Sequence, residues 1–125
     1  LVTKPARAIV EGVRKNGHNQ PIIGFPKGIG EGLIRYAAES GVDAIGLDHG
    51  VDPVWAGGNL PAKMPVQGNL DPLSLLSAGT EMFRDIDHIL DAFNDRPHIF
   101  NLGHGITPPT PVENVQKMID HIRNR

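Results

Sequence analysis

The sequence of 125 residues contains no cysteine, and this absence excludes several kinds of site. A zinc site with thiolate ligands, a disulfide scaffold and a cysteine nucleophile all need the missing residue, so any metal would have only histidine and carboxylate ligands. No apolar run approaches the roughly 18 residues of a membrane-spanning helix. The sequence also lacks a basic cluster, and 12 Lys plus Arg against 14 Asp plus Glu give a formal charge of -2. We therefore expect neither a nucleic-acid partner nor a membrane span.

The length of the sequence predicts a single domain. A chain of 125 residues, 39% of them hydrophobic, can bury a core, and its length lies near the common domain size of about 100 to 150 residues. The sequence opens with Leu1-Val2-Thr3 and no initiator methionine, and a helical pattern begins almost at once. On this basis we expect it to begin partway through a longer chain.

The spacing of apolar residues predicts helices that alternate with short strands. A stripe at intervals of three to four residues predicts a first helix over residues 5–16, and a second stripe predicts a helix that ends at Ser40-Gly41. Apolar runs without polar alternation are typical of strands buried on both faces of a parallel sheet. Such runs predict strands at residues 21–25, 43–47, 64–69 and 98–102.

Helix caps and irregular segments follow from the polar residues between these runs. Thr80 is expected to cap a third long helix, and Thr110 a fourth. Asp52 and Asp71, each followed by proline, also look like caps. The segments expected to be irregular are a loop at residues 51–60 and a turn at residues 73–76.

Strands that alternate with helices predict a parallel α/β fold, for which two architectures stay open. A doubly wound sheet would carry a glycine-rich phosphate turn, but residues 28–32 read G-I-G-E-G and lack the G-x-G-x-x-G spacing. They are expected to form a loop before a helix. A (β/α)8 TIM-type barrel needs about 250 residues and about eight units, of which this sequence supplies about half. The number of units favours half of a barrel.

Polar side chains follow each of the predicted strands. Barrel enzymes place their chemistry at the carboxyl ends of the strands, so these side chains are candidates for a functional site. Aspartate and asparagine are also ordinary turn and cap residues, and for Asp48 and Asp71 taken alone the structural role is favoured. The candidates are Lys27, Asp48, His49, Asn69, Asp71 and His104.

His104 is distinguished by its neighbours in the sequence. It stands between Gly103 and Gly105 directly after a predicted strand, where the missing side chains would let a ligand approach the imidazole. An imidazole with an ordinary pKa of about 6.5 can donate to a carboxylate or exchange a proton near neutral pH. A histidine that bonds to neighbouring backbone in a tight turn explains the same residues, so both interpretations stay open.

The other histidines give weaker indications. Asp48, His49 and His104 are conceivable metal ligands on neighbouring strand ends. The sequence nevertheless has no His-x-His pair of the kind that barrel metallohydrolases carry, so no metal is expected. The histidines expected to face water are His18 in a loop and His88 and His121 on helices.

A set of motifs at the strand ends carries a family resemblance. They read G-L-D at residues 46–48, V-Q-G-N-L-D-P at 66–72, N-L-G-H-G-I at 101–106, P-T-P at 109–111 and E-N-V at 113–115. In this order and at this separation they closely resemble the carboxyl-terminal part of the uroporphyrinogen decarboxylase family. The resemblance implies a (β/α)8 barrel, in agreement with the number of units. It also implies that residues 1–125 are the carboxyl-terminal half of that barrel, with the amino-terminal half absent.

The resemblance further implies an activity. Members of the family remove carbon dioxide from the acetate side chains of uroporphyrinogen, giving coproporphyrinogen in haem and chlorophyll biosynthesis. It implies a cytoplasmic homodimer that uses neither metal nor organic cofactor. The family's substrate-binding arginines and its central aspartate belong to the amino-terminal half. In this sequence only His104 matches a substrate-binding position, while Asp48, Gln67 and Asn69 are expected to shape the strand ends.

Two other functions compete with this reading. A related corrinoid or thiol methyltransferase would be expected to carry a cysteine ligand in this region, and the sequence has none. A non-catalytic α/β interaction domain would keep the scaffold and bind partners without affinity for porphyrinogens. Porphyrinogen binding therefore separates the second alternative from the enzyme.

We predict that the isolated 125-residue chain has no measurable decarboxylase turnover. A substrate with many carboxylates needs cations that converge on it, and the arginines of this sequence lie on predicted helices or at their ends. They are Arg7, Arg14, Arg35, Arg84, Arg96, Arg123 and Arg125. An assay of carbon dioxide release from uroporphyrinogen by the purified chain tests this, and any turnover would contradict it.

Overall fold

The structure is a computed structural model that describes residues 1–125. Its strands are β1 (Ile23–Gly24), β2 (Ala44–Gly46), β3 (Val66–Gln67) and β4 (His98–Ile99). Its helices are α1 (Thr3–Lys15), α2 (Gly32–Glu39), α3 (Pro53–Asn59), α4 (Pro72–Ser77), α5 (Thr80–Ala92) and α6 (Val112–Arg123). None of these helices combines the length and the apolar character needed to cross a bilayer.

Two helices lie where irregular chain was expected. α3 occupies most of the predicted loop at residues 51–60, and α4 replaces the predicted turn at residues 73–76. Asp52 Oδ1 accepts a 2.8 Å hydrogen bond from a backbone N–H at the start of α3, and Asp71 Oδ1 accepts a bond of 2.8 Å at the start of α4. The two caps are thus confirmed. The loop and the turn were wrong because helices of 7 and 6 residues are too short to display an apolar stripe.

The two predicted threonine caps are wrong by one position. α5 begins at Thr80 itself, with Gly79 in the extended N-cap conformation and no side-chain cap bond. α6 has Pro111 at its N-cap, again without a side-chain bond. The Thr110 hydroxyl lies 2.8 Å from the Thr107 hydroxyl instead of bonding to the helix. Threonine therefore marks both helix starts without capping either.

The strands form one parallel sheet in the order β1-β2-β3-β4. The register places Gly24 beside Ile45, Ile45 beside Val66, and Val66 beside His98, so these residues form one row across the sheet. The strand order follows the chain without the reversal that defines a doubly wound sheet. Right-handed connections that all run in one direction place their helices on one face. The structure confirms the parallel α/β class and favours barrel-type winding over a nucleotide-binding sheet.

The core lies between one face of the sheet and the helices. Ile45, Leu47 and Val66 are buried there, with at most 1% of their surface exposed. The side chains that meet them come from several helices: Leu33 and Tyr36 on α2, Leu75 on α4, and Met82, Ile86 and Ile89 on α5. Burying each such side chain contributes about 1.5 to 3 kcal/mol. The apolar stripes predicted from the sequence therefore form the inner face of the helical layer.

The opposite face of the sheet is apolar but open. Side chains alternate along a strand, so Ile23 and Phe25 share the face opposite Gly24. Ile23, Phe25 and Ile99 are 44%, 47% and 48% exposed. Gly46 lies in the same row as Gln67, and a Cβ atom on Gly46 would lie 2.9 Å from the ring of Phe25. This face corresponds to the interior of a barrel, and exposed apolar area of this kind favours association.

We predict that the isolated chain self-associates through this open face. Replacing Ile23, Phe25 and Ile99 together by threonine keeps good strand formers in place and removes apolar area, so the variant is expected to sediment as a monomer. Ile9→Thr is the matched control, since Ile9 is 68% exposed on α1, away from this face. Sedimentation velocity measures the outcome. A compact monomer of the unmodified chain would show that the open face does not drive association.

Candidate functional site

The loops that follow the strands meet at one edge of the sheet. All strand pairs are parallel, so the residues after β1, β2, β3 and β4 lie side by side at the carboxyl ends. This edge holds Lys27 after β1, Asp48 after β2, Asn69 after β3 and His104 after β4. The expectation that these side chains share one edge is confirmed, and their contacts decide what each can do.

Asp48 joins two of these loops through its carboxylate. Oδ2 accepts a 2.8 Å hydrogen bond from the backbone N–H of Gly28, in the loop after β1. Oδ1 accepts a second bond of 2.8 Å from the backbone N–H of Gly50, within its own loop. Both oxygens are therefore engaged with backbone, as expected for a residue that shapes the strand ends. Lys27, next to Gly28, is exposed.

Asn69 joins the end of β3 to the loop after β2. Its side chain is 4% exposed, and Nδ2 donates to the carbonyl oxygens of Asp48 at 3.0 Å and Val51 at 2.7 Å. Its Oδ1 atom is buried and has no hydrogen-bond donor among the protein atoms. Because two main-chain carbonyls of one loop bond to a single buried amide, the loop over residues 48–51 has a fixed shape. We call this loop the central turn.

Gly103 packs against the central turn and positions His104. The backbone N–H of Gly103 donates to the Leu70 carbonyl at 2.7 Å. A Cβ atom on Gly103 would lie 2.7 Å from Cα and 2.8 Å from Cβ of His49, closer than real side chains approach. Only glycine fits this contact. The sequence suggested that the glycines beside His104 admit a ligand, whereas Gly103 instead admits the backbone of residue 49.

The imidazole of His104 is exposed at this edge. The side-chain hydrogen bonds of the surrounding segment involve Asn101, Thr107 and Thr110, and none involves His104. The structure thus does not support the interpretation in which His104 bonds to the backbone of its own turn. The imidazole is available to a molecule at the strand ends.

His49 and Asp71 line a cleft whose lining does not include His104. Asp71 caps α4, and both residues line a cleft of about 220 Å3 between the strand ends and the helices, together with Asp85 and His88. No group of three or more histidine and carboxylate side chains is arranged to hold a metal ion. Asp48, His49 and His104 therefore do not form the conceivable metal site, because the Asp48 oxygens face backbone amides.

His98 bonds to the segment that precedes Asn69, a role that the sequence analysis did not predict. Its Nε2 atom donates to the Gly68 carbonyl at 2.7 Å, and its ring packs against Phe93 and Phe100 at 4.8 and 6.1 Å. Burial lowers the pKa of His98 below 6.5, and the bond to Gly68 opposes that shift. The neutral imidazole thus holds the segment that leads to Asn69. The one feature of the sequence that indicates burial of His98 is its position in the apolar run of a predicted strand.

The remaining histidines differ in exposure. His18 and His88 are exposed, as predicted. His121 is half-buried, with Nε2 2.8 Å from Asp87 Oδ1 and its ring 4.7 Å from Phe83. The prediction that His121 faces water was wrong because its helix packs against α5, which no local pattern reveals.

The arginines do not converge on the strand-end edge. Arg14 bonds to Asp43 at 2.6 Å, at the amino end of β2. Arg96 donates to the carbonyl of Gly57 within α3 at 3.2 Å and to that of Leu60 just after α3 at 3.0 Å. Burial lowers the pKa of Arg96 from its usual value. Most others pair with acids on helices: Arg7 with Glu11, Arg35 with Glu39, Arg84 with Glu81, and Arg125 with Asp91. Lys27 is the cation that follows a strand at this edge.

Comparison with known proteins shows the family of this chain. The family model described as uroporphyrinogen decarboxylase (URO-D) matches residues 1–125. The chain belongs to the uroporphyrinogen decarboxylase family. Family members fold as TIM barrels, so the parallel sheet wound in one direction is part of a (β/α)8 barrel. The resemblance identified from the strand-end motifs is confirmed.

Several curated members of the uroporphyrinogen decarboxylase family are similar over nearly the whole chain. The protein named uroporphyrinogen decarboxylase from Novosphingobium aromaticivorans is 52% identical over 122 residues, which is 98% of this chain and 36% of that protein. The protein of that name from Sphingopyxis alaskensis is 54% identical over 122 residues, with the same shares covered. The one from Maricaulis maris is 51% identical over 125 residues, 100% of this chain and 36% of that protein. The chain thus spans about 36% of the length of these relatives.

We predict that Asn69→Ala destabilises the protein by about 1 to 3 kcal/mol, because two buried carbonyls lose their donor. Asn59→Ala is the matched control, since Asn59 makes one exposed hydrogen bond of 2.8 Å to the Trp55 carbonyl. Asn59→Ala is expected to change the free energy of unfolding by no more than about 0.5 kcal/mol. Urea unfolding of the complete gene product measures both free energies. Equal losses in the two variants would mean that the buried amide does not hold the central turn.

Proposed function

We propose that this chain is part of an enzyme that decarboxylates the acetate side chains of uroporphyrinogen to give coproporphyrinogen. The observation that carries the proposal is the family match over residues 1–125, combined with an exposed imidazole at the strand ends. Barrel enzymes bind substrates at this end of the sheet. Relatives named uroporphyrinogen decarboxylase, at about half identity, support the same substrate class.

The reaction needs a place for the electrons of the broken bond. When a pyrrole ring carbon is protonated, the ring can accept the electron pair from the bond between the acetate methylene and the carboxylate. Carbon dioxide leaves, the methylene carbon gains a proton to become a methyl group, and the ring carbon gives up its added proton. The substrate supplies its own electron sink, so we propose a reaction without metal or organic cofactor. The protein then contributes orientation and electrostatic stabilisation.

His104 is the substrate-binding residue that we assign within this chain. Its imidazole is exposed on the strand-end edge, and the packing of Gly103 against His49 fixes the backbone that carries it. A ring N–H can donate to a carboxylate of the bound porphyrinogen. The role is binding and orientation of the macrocycle.

The other substrate contacts must come from outside residues 1–125. Most of the arginines here pair with acids or cap helix α3, so they cannot also clamp a carboxylate-rich substrate. We propose that arginines and an aspartate from the amino-terminal half complete the substrate-binding site at the carboxyl ends of the strands. We further propose that the complete enzyme is a cytoplasmic homodimer and that this chain supplies the carboxyl-terminal half of its barrel.

The test is His104→Ala in the complete gene product. Loss of one hydrogen bond to a charged group is expected to lower kcat/KM for uroporphyrinogen about tenfold or more. His18→Ala is the matched control, because His18 is an exposed histidine in the loop before β1, at the other end of the sheet. Coproporphyrinogen formation is followed by chromatography after oxidation.

Each outcome bears on a separate statement. Absence of coproporphyrinogen formation by the unmodified protein would overturn the proposed activity. Full activity with unchanged kinetics in His104→Ala would keep the activity but remove His104 from the substrate site.

A further inference from the structure

The central turn is the one segment that contacts all of the other strand ends. The loop after β1 reaches it through the Gly28 N–H, at 2.8 Å from Asp48 Oδ2. The end of β3 reaches it through the Asn69 amide, at 3.0 and 2.7 Å from two of its carbonyls. The loop after β4 reaches it through Gly103, which packs against His49. The shape of this turn therefore sets the relative positions of the groups at the edge.

We infer that Asp48 is a positioning residue, which acts on substrate binding through His104 without touching the substrate. This inference rests on the proposed function. The carboxylate of Asp48 closes the central turn by accepting from Gly50, and anchors the neighbouring loop by accepting from Gly28. The central turn also contains His49, whose backbone packs against Gly103.

An aspartate suits this position because both donors are backbone N–H groups. A carboxylate offers two acceptor oxygens and no donor, so it satisfies both amides at once. Asparagine has nearly the same shape but only one acceptor, and its NH2 group would face one of the two N–H groups. The substitution therefore releases one loop or the other while leaving the volume unchanged.

The link from the central turn to His104 is steric. Gly103 leaves no space for even a methyl group beside His49, and its own N–H is held by the Leu70 carbonyl at 2.7 Å. A shift of the His49 backbone toward Gly103 must therefore move residue 103 or break its hydrogen bond. His104 is the next residue, so the imidazole moves with it.

Asp43 provides a matched control on the same strand. Asp48 follows the carboxyl end of β2, whereas Asp43 precedes its amino end. Asp43 Oδ2 accepts from the backbone N–H of Ile22 at 2.7 Å and from Arg14 Nη2 at 2.6 Å. It is thus an aspartate with a similar backbone-holding role, placed at the end of the sheet away from His104.

The experiment compares Asp48→Asn and Asp43→Asn in the complete gene product. Asp48→Asn is expected to lower kcat/KM for uroporphyrinogen about tenfold, mainly through a higher KM, in protein that thermal unfolding shows to be folded. Asp43→Asn is expected to lower the melting temperature without changing KM. An unchanged KM in Asp48→Asn, or an equal rise in both variants, would overturn the inference.

A double-mutant cycle tests whether His104 mediates the effect. In a His104→Ala background, Asp48→Asn is expected to cost less than about threefold, because residues that act through one contact are not additive. Equal losses in both backgrounds would overturn the mediation by His104. Should Asp48→Asn fail to fold, Asp48→Ser keeps one hydroxyl acceptor for Gly50 and releases Gly28, and the same KM comparison applies. Inactivity of the unmodified protein would instead refute the proposed function.

Discussion

Parallel pairing in chain order is the constraint on which the whole arrangement depends. Because β1 to β4 run in the same direction and lie in sequence order, their carboxyl ends meet at a single edge. Loops separated by many residues then come close enough for main-chain amides and carbonyls to bond to one another's side chains. The helices, all on one face, bury Ile45 and Val66 and leave the other face apolar and open. The position of the candidate site is thus determined by the direction and order of the strands, and the side chains then determine its chemistry.

The class of fold was accessible from the sequence because burial leaves a direct trace in apolar spacing. The runs around Ile45 and Val66 read as buried strands, and the stripe through Met82 and Ile86 read as a helix face, as the structure shows. The helices α3 and α4 were not recognised, since each has fewer than two full apolar turns. Their Asp-Pro starts were nevertheless visible, and a rule that gives weight to caps would have found both.

The site was less accessible, since most of its contacts are with backbone groups. The letters of the sequence identify Asp48 and Asn69 but do not show that their partners are the amide of Gly28 and the carbonyl of Val51. Likewise, the glycine before His104 was read as an opening for a ligand, whereas its space is filled by a neighbouring loop. Contacts between residues distant in the chain depend on register and winding, which single residues do not encode. Family resemblance supplied His104, and geometry supplied its surroundings.

The hydrogen bonds of the central turn have a consequence for the energetics of recognition. The segments that follow β1, β2 and β3 are already bonded to one another in the free protein, through groups that a ligand does not need to contact. The conformational entropy of these loops is therefore lost during folding, and little remains to be lost when a guest molecule arrives. A molecule that binds at this preorganised edge therefore loses little affinity to the ordering of these loops.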